Sequence, residues 1–450
     1  VNLSHHESNC DCVICKNRVD VQIPEELIEE ILSGKVTFFT GAGISTESPT
    51  VLNINFYEEV AREIDALDRN FSFPELMQEF CKKPNGRIKL LQMIRSRFRT
   101  IDSFPELQKM ATSFHKELGT LFPIKNIVTT NWDTYFEDFS HATPFVLDSD
   151  LAFWEVAERK VLKIHGSIDN LSTIVATEDD YSDCAKRLSE ELIGGMLKTI
   201  LATQTVIFVG YSMRDSDFQE IYSLVKTQMD LLHRQAYVVT PFEDEAKRFE
   251  EAGLIPIVTD GTHFLELVKN EGEIQELLLP DLAYTFSSYM LDDIEYEHIE
   301  LSNRIKNTDC PEVIYAACYQ DGVMHALQRI RKNKHSGEYS HPCRLKFLIN
   351  EYKKIQSEKR KEKKYTGVAY IEGYITGLIF HLLNCFEEGD FEIPKYFAFG
   401  AKEELNSFED FIGFIRENPQ AHKVSFNQAR RYLSSLNQPD EIVIHHPPWL

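Results

Sequence analysis

The chain has 450 residues, 43% of them hydrophobic and 11% aromatic, which is ordinary globular composition and enough for more than one buried core. A formal net charge of -23 and a pI of about 5.1 exclude a general binder of nucleic-acid backbone, whose affinity comes from clustered Lys and Arg. No apolar run approaches the roughly 20 residues of a membrane span, and the polar start has no signal-peptide core, so a cytoplasmic protein without membrane contact is expected.

In chain order, residues 1–22 form a Cys-rich arm. Cys10, Cys12 and Cys15, with His5 and His6 upstream, supply soft donors for a tetrahedral zinc site, but the spacing is compressed and half of a four-ligand ribbon is missing. Zinc and three free thiols both remain readings of this cluster. The total of nine cysteines, an odd number without a secretion signal, points to thiols rather than disulfides.

Pro24 to Gly34 reads as a helix with Pro at its start and Gly as its stop. The β-branched and aromatic strand Val36-Thr37-Phe38-Phe39-Thr40 then runs into Gly41-Ala42-Gly43-Ile44-Ser45. Bare glycine backbone at such a turn lets N–H groups approach a phosphate, where a Cβ would block them. Many strand ends carry Gly-x-Gly for tight turning only, and the third glycine of a dinucleotide fingerprint is absent.

Residues of about 53–120 are helical in period, too long for a simple crossover, and are expected to be an insertion placed as a lid over the nucleotide. From residue 126 strands and helices alternate, with strands near 126–130, 160–164, 205–210, 235–240 and 254–258. This predicts an α/β, Rossmann-like parallel sheet covered on both faces. Three of these strands end in polar motifs: Thr129-Thr130-Asn131-Trp132-Asp133, Lys163-Ile164-His165-Gly166-Ser167, and Gly210-Tyr211-Ser212 with Asp215 and Asp217 behind. Strand ends of this kind lie at the carboxyl edge of a sheet, where such folds bind ligands. The domain ends near 280, and 281–450 reads as a mainly helical second domain for assembly or regulation. It includes the basic run Lys359 to Lys364, read as a solvated helix face, and closes on the apolar segment 442–450.

Taken in order, the Gly-Ala-Gly-Ile-Ser turn, Thr-x-Asn-x-Asp, His-Gly-Ser and Gly-x-Ser resemble the sirtuin family over roughly residues 24–270. The resemblance implies a domain over 23–280 that takes NAD+ as substrate, with Asn131 and His165 as catalytic residues. Imidazole titrates near neutrality and suits a base, and an amide offers donor and acceptor together for a ribose hydroxyl or an attacking water. Asp133 either orients Asn131 and its loop or caps the following helix. Gly41, Ala42, Gly43 and Ser45 would lie against the pyrophosphate, Gly210 and Ser212 would form a second nucleotide loop, and Thr240 would face the adenosine side unless it simply ends its strand. Asp215 and Asp217 read as helix-start carboxylates.

Deacylating sirtuins carry a four-cysteine zinc module beyond the histidine. Here only Cys184 lies between His165 and Cys310, so that module is absent. The chain is therefore most similar to bacterial sirtuin-like NAD+ hydrolases of anti-phage defence, and within them to the sirtuin-like subunit that assembles with a HerA-type ATPase. Nicotinamide and ADP-ribose are the expected products, from a homo-oligomer docked to that ATPase. A nonenzymatic nucleotide-binding scaffold, or a protein deacylase or ADP-ribosyltransferase, are the alternatives.

Overall fold

The computed structural model describes residues 16–48, 51–211, 235–305, 310–383, 392–419 and 421–435. The chain divides into two compact units, Val1–Gln275 and Glu276–Leu450. Cys10, Cys12, Cys15, Ser212, Asp215, Asp217 and the tail 442–450 lie outside the described residues.

The first unit opens with α1 (Glu25–Leu32), which buries Leu27, Ile28, Ile31 and Leu32. Gly34 ends it at a φ of 73°, a left-handed conformation that glycine adopts without a steric penalty. β1 (Val36–Thr40) is buried throughout, because its alternating side chains face two different layers. Phe38 meets Phe114 and Phe264, while Phe39 meets Phe208 and Tyr211.

Five helices separate β1 from the next strand: α2 (Phe56–Glu63), α3 (Phe73–Cys81), α4 (Gly86–Ser103), α5 (Pro105–Ala111) and α6 (Ser113–Gly119). Local capping sets their starts. The Asn55 side chain accepts from the Glu58 N–H at 2.8 Å, and Ser72 with Glu75 forms a capping box. The rest of the unit follows as β2 (Asn126–Thr129), α7 (Tyr135–Ser140), β3 (Thr143–Phe145), β4 (Lys160–Lys163), α8 (Glu178–Glu190), α9 (Leu192–Thr203) and β5 (Thr205–Val209). Beyond come β6 (Ala236–Thr240), α10 (Glu243–Glu251), β7 (Ile255–Val258) and α11 (Gly261–Ile274).

The strands form one seven-stranded sheet in the order β3-β4-β2-β1-β5-β6-β7, every pair parallel. The Rossmann-like α/β class is as the sequence predicts. Strand β3 was not expected from the pattern: it is three residues long and contains Pro144, whose missing N–H suits an edge. The order reverses at β1, since β2 and β4 lie on one side and β5 on the other. Ligands of open parallel sheets bind at such a reversal, outside the carboxyl ends of the strands.

The helical stretch between β1 and β2 has two parts. Phe56, Val60, Leu76, Met77, Phe80, Leu90 and Ile94 of α2–α4 form a core with Trp132, Ile168 and Ile174, which stand in the loops after β2 and β4. This part covers the carboxyl edge. By contrast α6 packs on α7 and α11, and its Phe114 lies against Phe38 of the sheet. It belongs to the layer beneath, so α2–α4, rather than the whole of 53–120, lie over the edge.

The second unit contains α12 (Asp281–Ile305), α13 (Val313–Lys332), α14 (Pro342–Lys361), α15 (Tyr365–Leu383), α16 (Phe408–Glu417) and α17 (Lys423–Ser435). Its centre is the crossing of α13 and α15, where glycine lets two backbones touch. A Cβ on Gly373 would stand 1.9 Å from the Tyr319 carbonyl oxygen, and one on Gly322 2.0 Å from that of Tyr370. One expectation is corrected here: α15, with 19 residues, is long and apolar enough by composition to cross a membrane. Most of it is buried inside its own unit, among Tyr319, Val323, Ala326 and Tyr339, as expected of a core helix.

Candidate functional site

The register places the predicted motifs at one height. Lys163 pairs with Thr129, Thr129 with Thr40, and Thr40 with Val209. His165 and Asn131 therefore each stand two residues past paired positions on adjacent strands, and Gly41 and Gly210 each stand one residue past the next pair. All four lie at the carboxyl edge, around the reversal at β1.

The glycines bring two loops together. The Gly41 N–H donates to the Val209 carbonyl at 2.9 Å and the Gly43 N–H to the Gly210 carbonyl at 3.1 Å. A Cβ on Gly41 or Gly43 would fall 2.7 or 2.8 Å from the Gly210 oxygen, and Gly210 itself has a φ of 77°. Close approach of the 41–45 and 209–211 loops thus requires glycine on both sides, and these two amides are engaged within the protein. Tyr211 locks the same junction: its hydroxyl donates to the Thr40 carbonyl at 3.2 Å and lies 2.9 Å from the Thr130 hydroxyl.

Asn131 is 5% exposed. Its Nδ2 donates to the Gly41 carbonyl at 3.2 Å and to Ser45 Oγ at 3.4 Å, whereas its Oδ1 is buried with no hydrogen-bond partner among the described residues. A buried acceptor left in this state costs about 1–3 kcal/mol, which a ligand hydroxyl would recover. The Asp133 carboxyl makes two hydrogen bonds. One oxygen accepts from Tyr135 N–H at 3.1 Å at the start of α7, and the other accepts from Ser45 at 3.2 Å. Ser45 is wholly buried and stands behind Asn131.

The sequence reading gave no role to Lys163. It ends a buried strand, is fully buried itself, donates to the Asp133 carbonyl, and pairs with Glu137 at 2.9 Å. Burial pushes the carboxyls of Asp133 and Glu137 above the usual range, with the ammonium pulling each back. Two carboxylates thus share one cation beneath the loop that carries Asn131. The available signal was a charge closing the apolar run Val161-Leu162. Nearby His115 is driven down to about 3 by burial and by Lys163, and stays neutral.

His165 is 6% exposed, and its ring stands 5.2 Å from that of Tyr181. The backbone around it is fixed: the His165 carbonyl accepts from Val175 N–H at 3.1 Å, and Gly166, at a φ of 86°, has no room for a Cβ beside Thr173. From above, Phe56 and Phe73 of the insertion pack on Trp132, with ring centroids 6.2 and 6.3 Å away. Arg97 of α4 holds the loop after the glycine turn through Glu47 at 3.0 Å and the carbonyls of Thr46 and Ile54. Thr240 is apart from this group, on β6, with its hydroxyl accepting from Phe242 N–H of its own loop at 3.4 Å. Cys184 is a core thiol that donates to the Ile164 carbonyl, and among the described residues no group of His, Cys, Asp and Glu could hold a metal ion.

The SIR2-like domain family matches residues 125–257, the stretch that carries Asn131 and His165. The chain is 24% identical over 351 residues to defense-associated sirtuin 2 of Bacillus subtilis, covering 74% of this chain and 32% of that protein. It is 26% identical over 293 residues to the NAD(+) hydrolase ThsA of Bacillus cereus (strain MSX-D12), covering 63% and 56%. To the ThsA of Cytobacillus dafuensis it is 29% identical over 224 residues, covering 47% and 43%. The chain thus spans between about a third and just over half of the length of these relatives.

Proposed function

We propose, from the premise that this chain carries a SIR2-like domain, that it is an NAD+ glycohydrolase. It would cleave the bond between nicotinamide and ribose and pass the sugar to water, giving nicotinamide and ADP-ribose. The observation that carries this reading is the shared height of Asn131 and His165 over adjacent strands, beside the glycine junction at the sheet reversal. The names of its relatives, NAD(+) hydrolase and defense-associated sirtuin, support the same chemistry and a setting in anti-phage defence.

Loss of nicotinamide leaves an electron-poor, oxocarbenium-like sugar. The leaving group is a pyridinium that departs as a neutral molecule, so the protein needs no general acid. What it must supply is a positioned acceptor for the nucleophile's hydrogen and a base for the proton released. Asn131 Oδ1 fits the first role and His165 the second. The glycine loops would lie along the pyrophosphate, and α2–α4 would exclude water from above.

His165→Ala and Asn131→Ala are each expected to lower turnover at least about a hundredfold, as loss of a base or a positioning group does. Product analysis by chromatography checks this, on the chain alone and with a HerA-type ATPase added. Wild-type rates in both folded variants, or intact NAD+ under both conditions, would remove the assignment. Assembly as a homo-oligomer on a HerA-type ATPase is part of the proposal, since an NAD+-depleting enzyme must stay silent until triggered. Zinc at Cys10, Cys12 and Cys15 is a separate one, decided by elemental analysis.

A further inference from the structure

We propose that Ser45 and Asp133 are positioning residues that fix the polarity of the Asn131 amide, so that the site presents a hydrogen-bond acceptor to a hydroxyl of the reacting partners. This rests on the NAD+-cleavage reading and adds to it the direction of each hydrogen bond.

An asparagine amide has two ends of similar shape and opposite chemistry. Which end faces the ligand decides whether the site can orient an O–H group. Here the surroundings leave one answer. The Gly41 carbonyl, 3.2 Å from Nδ2, accepts only. Ser45 Oγ, 3.4 Å away on the same nitrogen, could in principle donate or accept. Its hydrogen, however, goes to Asp133 Oδ2 at 3.2 Å. Ser45 is therefore left as an acceptor toward Asn131, and both amide hydrogens are committed. Oδ1 must then face away, where it is buried with no donor among the described residues. Lys163 supports the direction of the relay, because its ammonium opposes the effect of burial and favours the charged form of the Asp133 carboxyl.

Two donors fit Oδ1: a hydroxyl of the nicotinamide ribose and the attacking water. Either gains orientation from an acceptor that cannot flip, and both lose it if the amide turns over and offers Nδ2 instead.

The test is steady-state NAD+ cleavage by the full chain as wild type, Ser45→Ala, Asp133→Asn and the double variant. Each single change is expected to lower kcat about tenfold with KM within about twofold, and the double variant should be no slower than the worse single one, because both act through one amide. Losses that multiply to about a hundredfold, or that appear in KM alone, would overturn the relay. Nicotinamide-ribose analogues of NAD+ lacking the 2′- or 3′-hydroxyl separate the two donors. A Ser45→Ala loss that vanishes with one analogue assigns the ribose hydroxyl, and a loss that persists with both assigns water; either upholds the relay.

A second measurement does not depend on turnover. In wild-type protein labelled with 15N-asparagine, the Asn131 side-chain amide, assigned by its absence in Asn131→Asp, should exchange its hydrogens with solvent slowly. Exchange as fast as that of surface asparagines would refute the relay. A wild-type chain that leaves NAD+ intact would defeat the glycohydrolase reading instead, and the exchange result would still decide the relay.

Discussion

Lys163 shows how one buried charge organises its neighbours. Taking an ammonium out of water is costly, and it is retained because Glu137 and the Asp133 carbonyl meet it. Lys163→Met would leave two buried carboxylates without their cation, and is expected to cost about 3–5 kcal/mol in urea unfolding. A loss below about 1 kcal/mol would mean that the carboxyls simply take up protons. In the second unit, burial pushes the Asp321 carboxyl up to about 7. The folded state then holds a proton that the unfolded chain releases between about pH 4 and 7, so this group lowers stability as pH rises through that window. His298, whose Nε2 lies 3.6 Å away, works against this when protonated. Asp321→Asn, without that slope, should be more stable than wild type at pH 8 by up to a few kcal/mol and nearly equal at pH 4. Thermal melts across this range check the sign. Asn131, Asp133 and His165 were legible in the sequence because they close apolar strands in recognisable motifs. Lys163 was not, because a lysine at a strand end ordinarily marks the surface.

At the scale of elements, hydrophobic period located the strands of the sheet except β3, which is too short and too exposed to carry a pattern. The same period correctly gave helices after β1 but could not say which of them lie over the edge and which beneath the sheet. That depends on long-range partners: Trp132 and Ile168 for α2–α4, and Phe38 and α11 for α6. The apolar run of α15 was underestimated for a related reason. Its tyrosines and glycines dilute its hydropathy, yet they are what pack it. Gly373→Ala places a methyl group 1.9 Å from the Tyr319 carbonyl oxygen and is expected to destabilise the chain by at least about 1–3 kcal/mol. Gly367→Ala, on the same helix with only Lys359 near the added carbon, should be neutral or slightly stabilising. Equal melting temperatures for the two variants would contradict the tight crossing.

For the whole molecule, composition and alternation foretold a parallel α/β unit and a helical one, but neither can reveal assembly. The proposed oligomer is tested by light scattering on the full chain and on a chain ending at Pro439, alone and with a HerA-type ATPase. A full-length chain that is strictly monomeric and ignores that ATPase would end the proposal. Strand order has a further consequence, for synthesis on the ribosome. β1 is the centre of the sheet, yet its partner β5 follows only at residues 205–209, after the whole insertion and the β2–β4 side have been made. At about 5–20 residues per second, Val36 to Thr40 wait roughly 10–30 s for that neighbour. During that time an apolar strand has one hydrogen-bonding edge unpaired, a template for wrong pairing until β5 arrives to close it.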